Sequence, residues 1–242
     1  MTTPDILYLG LVAFALLFDQ FVLWRIFLRW VGIDPGPARL RYWLIWMTLM
    51  WALVAGGAVL WIANGRAWRA LGFAFSPGWG FCVAIGLNIA FVGIQGRGAY
   101  QVARKPRARE KLRETFAKLV VILPHTRTEL YWFFALSLTA GFCEEFIFRG
   151  YLIWALQPWA SWWGAAAIAM IVFALGHSYQ GVSGIVRTAI LGAVMTLVFA
   201  ISNSLWPAIL LHALIDIGSG LIAWLVLREQ VAETRASFAE KV

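Results

Sequence analysis

The sequence predicts an all-α fold: a polytopic transmembrane helical bundle of seven or eight spans, N-terminus outside and C-terminus cytoplasmic. Three observations carry this. Of the 242 residues, 62% are hydrophobic, against roughly 45–50% in a soluble domain. Only 13% are charged, about half the usual ~25%. The basic residues also gather in alternate loops between long apolar runs. Twenty basic and twelve acidic side chains are too few for a soluble fold to screen fifteen tryptophans and seventeen phenylalanines. Disorder, collagen and coiled coil each need a more polar or more periodic composition. Backbone polar groups at membrane depth must be satisfied within their own segment, so the spans are helices.

The spans follow in order. The first run, 6–24, comes after an N-terminus with no positive n-region and no small-residue cleavage site, which predicts a retained anchor. It holds Asp19 and Gln20, expected to pair with the polar core or with Arg25. The second run is 42–63. The third, 80–96, is short at 17 residues and carries Asn88, suited to an interhelical hydrogen bond. The fourth, 129–156, is long at 28 residues and contains charges. The last three are 160–177, 184–202 and 206–227. Trp24, Trp30, Trp159, Trp162, Trp163 and Trp206 stand at span ends, as interfacial belt residues do. Cys82 and Cys143 lie in apolar segments and read as small buried residues, with no disulfide framework or metal knuckle between them.

Seventeen of the twenty basic residues fall on one side of these spans. They occupy the loops after spans one, three and five and the tail, whereas only Arg66 and Arg69 lie on the other side. The positive-inside rule makes the crowded side cytoplasmic. The net charge of +8 is mostly this asymmetry and does not imply nucleic acid as a partner. The long polar stretch Arg97 to Lys118, with a stripe of Leu112, Phe116, Leu119 and Val120, predicts a helix lying on anionic headgroups. No repeat or linker divides the chain, so residues 1–242 read as a single integral membrane domain. Within it are three N-terminal spans (1–96), a basic cytoplasmic loop (97–128), a four-span core (129–227) and a cytoplasmic tail (228–242).

An ionisable side chain in a span costs about 2.5–3.5 kcal/mol on insertion scales. The fourth span contains Glu144, Glu145 and Arg149. Glu145 and Arg149 are four apart and share a helix face, so they can pair. Glu144 is turned about 100° away and has no helical partner of opposite sign. The fifth span ends Phe173-Ala174-Leu175-Gly176-His177, and the seventh contains His212 and Asp216, again four apart. Gathering these groups into one polar site lets each satisfy another, where separate burial would multiply the cost. The third histidine, His125, falls in the loop before span four.

Two chemistries suit this set. A carboxylate in an apolar surround can take a proton from water while imidazoles orient that water or steady an oxyanion. Alternatively Glu144, His177 and His212 could hold a zinc ion with an open position for water. Either route hydrolyses a peptide bond. No GxSxG or HExxH occurs, which argues against a serine nucleophile and excludes a conventional zinc-helix protease.

The ordered trio Glu-Glu-x-x-x-Arg, Phe-x-x-x-His and His-x-x-x-Asp on successive spans resembles the CAAX protease and bacteriocin-processing (CPBP, or Abi) family of intramembrane proteases. The matching positions are Glu144, Glu145 and Arg149, then Phe173 and His177, then His212 and Asp216, and the resemblance covers about residues 120–225. It implies a helical membrane endopeptidase. Glu144 would be the general base, helped by His177; His212 and Asp216 would form the oxyanion hole; Glu145, Arg149 and Phe173 would support them. Asp216 stands where prenyl-protein endopeptidases carry Asn. An ionised Asp repels an oxyanion and serves better by orienting His212. The resemblance leaves zinc open as a cofactor and makes the partners a membrane-associated peptide or protein substrate and the lipid bilayer. The substrate would be a prenylated C-terminal peptide, a bacteriocin leader or another membrane peptide.

Counted along ideal helices, Glu144 lies roughly 21 Å below a turn near Pro158 and His177 roughly 28 Å. His212 lies only roughly 13 Å below a turn near Asn203. An irregularity at Asn203–Pro207 is expected to bring them level. The competing functions are a non-catalytic scaffold or bacteriocin-immunity protein of the same fold, which would be free to lose motif residues, and a transporter, which would favour an inverted repeat. All the motif residues are present and no such repeat is seen. Composition places the chain in a bacterial inner membrane.

Overall fold

The computed structural model describes residues 1–239 except Ser76, Ala117 and Lys118, and it leaves aside the side chains of Thr115 and of residues 229–239. The predicted positions of Arg235 and Lys241 in the basic tail, and of Lys118 in the basic loop, thus lie outside the described side chains. Among the described residues every regular element is helical. The α-helices are α1 (Thr3–Phe18), α2 (Trp24–Val31), α3 (Pro35–Ala63), α4 (Trp79–Arg104) and α5 (Pro106–Phe116). They continue as α6 (Arg127–Glu144), α7 (Ile153–Leu175), α8 (Val182–Ser202) and α9 (Leu205–Ala239). A π-helical segment, Asp19–Leu23, joins α1 to α2, and a second, Glu145–Leu152, joins α6 to α7.

Six helical stretches among the described residues are long and apolar enough to cross a membrane. The expected spans four and five are fused into one stretch, Arg127–Leu175, 49 residues long. At 1.5 Å per residue that is roughly twice the ~30 Å hydrocarbon thickness. The stretch is not straight. Ser161 has φ 55° and ψ 171°, and on either side the chain packs against itself, Ile153 meeting Ala165, Ala166 and Ala169. The break therefore falls at Ser161, three residues beyond Pro158, where the turn is expected. The Ser161 hydroxyl accepts from Gly164 N–H at 3.4 Å and caps the part that follows.

The third span is not short. α4 runs 26 residues because the helix continues past Gln95 and Arg97, where the apolar run ends. Asn88 bonds as expected across helices, donating to Pro207 O at 3.2 Å. The apolar stripe of the basic loop does not simply face headgroups: Leu112 and Phe116 pack with Val102 of α4 and with Ala223 and Val226 of α9. The C-terminal helix extends far enough to cover them. Cys143 is buried as expected, whereas Cys82 is exposed on α4.

Buried ion pairs fasten both ends of the bundle. At one end Arg66 donates twice to Asp5, at 2.7 Å each, and Tyr151 donates to the same carboxylate. The Arg66 guanidinium lies 4.4 Å from the Trp154 ring centre. At the other end Arg39 meets Glu129 at 2.8 Å. Glu129 also completes a capping box with Thr126 at the start of α6. Between these ends lies a core formed by Tyr8, Val12 and Ala15 of α1, Met50, Leu53 and Val54 of α3, and Cys143, Phe146 and Ile147.

Asn203 forms the turn between α8 and α9, but the further irregularity expected as far as Pro207 is not there: α9 is helical from Leu205 onward. Asn203 is left-handed at φ 50°, and Pro207 sits harmlessly in the first turn of α9. The loop after α3 reaches in and covers this turn. Leu205 N–H donates to Gly72 O at 2.9 Å, and the Ser204 hydroxyl donates to Ala74 O at 2.7 Å. Leu71, Ser204 and Leu205 are wholly buried. His212 stands level with Glu144 all the same, its Nε2 3.6 Å from Glu144 Oε2.

Candidate active site

The first motif occupies the junction of α6 with the π segment. Every residue from Cys143 to Tyr151 is buried, the charged Glu144, Glu145 and Arg149 included. The expected pair forms: Arg149 Nη1 donates to Glu145 Oε1 at 2.9 Å. Arg149 also donates through Nη2 to Gly192 O at 3.3 Å, and its guanidinium lies over Phe173, 4.3 Å from the ring centre. Gly192 makes room for this, since a Cβ there would stand 3.1 Å from Nη2 and 3.2 Å from the Phe173 ring.

The second and third motifs meet at the same point. Phe173 packs against both imidazoles, with ring centres 4.8 Å from His177 and 6.0 Å from His212. His177 lies just past the end of α7, its Nδ1 2.9 Å from the Phe173 carbonyl. A carbonyl only accepts, so Nδ1 carries the proton and Nε2 presents its lone pair. His212 Nδ1 stands 2.8 Å from Glu145 Oε1, and Nε2 faces Glu144 Oε2 at 3.6 Å and Asp216 Oδ2 at 3.7 Å. The hydrogen bond that orients His212 thus runs to Glu145, not to Asp216. Close approach of α6 and α9 allows it: a Cβ on Gly141 would sit 2.9 Å from Ala213.

Glu144, His177, His212 and Asp216 all line one cavity of about 270 Å³. Trp43, Trp46, Leu136 and Met195 supply apolar wall, and Asp19, Tyr42 and Arg187 add polar groups. Oε2 of Glu144 is buried with no hydrogen-bond partner among the described residues. A carboxylate oxygen so placed is costly unless it serves water or a ligand. The arrangement can bind a water between a carboxylate and imidazole nitrogens and present it to a carbonyl. Among the described residues no group of three His, Cys, Asp or Glu side chains is arranged to hold a metal ion. The chemistry below is derived from the side chains alone.

Two features were not visible in the motifs. Glu145 serves His212 as well as Arg149, a contact across 67 residues. Asp19 does not pair with Arg25: Tyr42 donates to its two oxygens at 3.0 and 3.3 Å. Gln20 beside it donates to Gly176 O and accepts from the Ser178 hydroxyl at 2.9 Å. The signal for both was their polar character at membrane depth. Outside the spans, His125 donates from Nε2 to Val120 O at 2.9 Å. Burial, with the Arg39 charge, holds its imidazole below its ordinary 6.5.

Comparison with known proteins agrees with the motifs. Residues 126–218, under half of the chain, match the family model described as "Type II CAAX prenyl endopeptidase Rce1-like". The matched segment contains all seven motif residues from Glu144 to Asp216. No curated protein and no solved structure matches the chain. With six helices able to cross a membrane, this chain is an integral membrane protein whose segment 126–218 is similar to the type II CAAX prenyl endopeptidases of the Rce1-like family.

Proposed function

We propose that the protein is an intramembrane endopeptidase that hydrolyses a peptide bond of a membrane-associated substrate with a water activated by Glu144. The observation that carries this is the unpartnered Oε2 of Glu144, 3.6 Å from His212 Nε2 in the cavity that His177 also lines. Water bound between Glu144 and the lone pair of His177 gives a proton to Glu144 as its oxygen attacks the scissile carbonyl carbon. The carbonyl oxygen takes up the electron pair, steadied by His212, which Glu145 fixes at Nδ1. Asp216 faces the same nitrogen of His212 and tunes its charge. Glu144 then returns the proton to the leaving amine as the C–N bond breaks, which frees one new carboxylate and one new amine. Arg149 and Phe173 hold Glu145 and the two imidazoles in place.

The chain crosses the membrane seven times in this reading, with Ser161 the turn between crossings four and five. The charge asymmetry puts the Arg39 end in the cytoplasm and the N-terminus outside, in a bacterial inner membrane. The four C-terminal crossings are the catalytic core, and the first three wall it. The apolar cavity suits a lipid-modified or leader-bearing peptide. Comparing membrane peptides from cells with wild-type and Glu144→Gln protein tests the reading. The expected result is a set of peptides with new C-termini that only the wild type produces; identical sets contradict it.

A further inference from the structure

We infer that Gln20 is a positioning residue that sets the place of His177 in the site. This rests on the proposed role of His177. The histidine lies in a short connection between α7 and α8, beyond the last residue of α7. Within its own segment the connection is held by the bond from its ring to Phe173 O and by backbone bonds, His177 N–H to Ala174 O at 3.1 Å and Gln180 N–H to His177 O at 3.0 Å. The side-chain amide of Gln20 adds the hold from another helix. Its NH₂ donates to Gly176 O, on one side of His177, and its oxygen accepts from the Ser178 hydroxyl at 2.9 Å, on the other. One planar group therefore holds both neighbours of the imidazole.

Two further contacts extend the clasp. Leu16 Cδ2 stands 3.7 Å from where a Gly176 Cβ would be, and the Trp24 and Tyr179 ring centres are 4.6 Å apart. Leu16, Gln20 and Trp24 form a stripe at intervals of four along the first span. The π segment Asp19–Leu23 lies within the stripe, and Asp19 is tied to α3 by Tyr42. π segments commonly mark functional places in helices. The first span lies outside the matched segment 126–218, so the site's second imidazole is set by a part of the chain that the family motifs do not include.

The test compares wild-type protein with Gln20→Ala and Gln20→Glu in detergent or liposomes. Hydrogen exchange of residues 176–181 reads the clasp without any need for cleavage. The Ala variant should exchange faster there, with the rest of the bundle and the thermal midpoint unchanged. Steady-state cleavage of a membrane peptide reads the consequence. Misplacing a reacting group by about 1 Å costs on the order of 10²-fold, so kcat should fall by about that factor with KM unchanged. Gln20→Glu keeps the acceptor for Ser178 and loses the donor to Gly176, and should fall between the two. Unchanged exchange at 176–181 overturns the clasp. Faster exchange with unchanged kcat overturns the positioning role, whereas loss of the proposed activity itself is read separately from Glu144→Gln.

Discussion

Oε1 of Glu145 lies 2.8 Å from Nδ1 of His212, on a helix 67 residues further along. The same oxygen receives Arg149 at 2.9 Å. One buried carboxylate atom thus ties the first motif to the third and balances the buried guanidinium. It also explains why two adjacent glutamates stand in one span. Glu145 orients and neutralises, and that leaves Glu144 free at the cavity.

The balance is testable through stability. Glu145→Gln leaves Arg149 without its counter-charge, and breaking a buried pair in this way costs about 3–5 kcal/mol. The thermal midpoint in detergent should fall accordingly. A double variant, Glu145→Gln with Arg149→Met, removes the stranded charge and should recover much of the loss. Equal destabilisation of the single and double variants would show that the pair is not what matters.

Gly192 lets Arg149 and Phe173 approach α8. Gly192→Leu should be destabilised by about 1–3 kcal/mol, as overpacked cores are, and should lose activity, because Phe173 packs against both imidazoles. A fully stable and active Gly192→Leu protein would contradict the packing.

At the Arg39 end, burial keeps His125 neutral in the folded chain. Below about pH 6.5 the unfolded chain binds a proton that the folded chain resists, so stability falls as pH drops. The difference in thermal midpoint between wild type and His125→Gln should therefore shrink from about pH 7.5 to pH 5. A difference that does not vary with pH would show that His125 takes up its proton equally in both states.

The proposed route asks only side chains and water of the site, so exhaustive chelation should leave cleavage by the purified protein unchanged. Loss of activity on chelation, restored by added zinc, would mean that Glu144, His177 and His212 rearrange around a metal.

Much of the site was legible because its key pairs are local. Glu145 with Arg149, and His212 with Asp216, follow from helical spacing alone, and the cost of burying charge argued that the sets converge. Contacts across the chain were not legible in the same way. The partner of Gln20 is a backbone carbonyl 156 residues away, which leaves no side-chain signature. The length of α4 was missed because an apolar run measures hydropathy, whereas a helix can continue past Gln95 and Arg97 on backbone bonds alone. The break at Ser161 was placed at Pro158 because proline is the stronger signal, yet the left-handed residue is the serine.

The central claim is that Glu144 activates the attacking water. The most direct test is the rate at which purified wild-type and Glu144→Gln proteins in liposomes cleave one membrane peptide. The account predicts a folded variant with an unchanged thermal midpoint and a cleavage rate at least about 10²–10⁴-fold lower. Cleavage at the wild-type rate by the folded variant would contradict it.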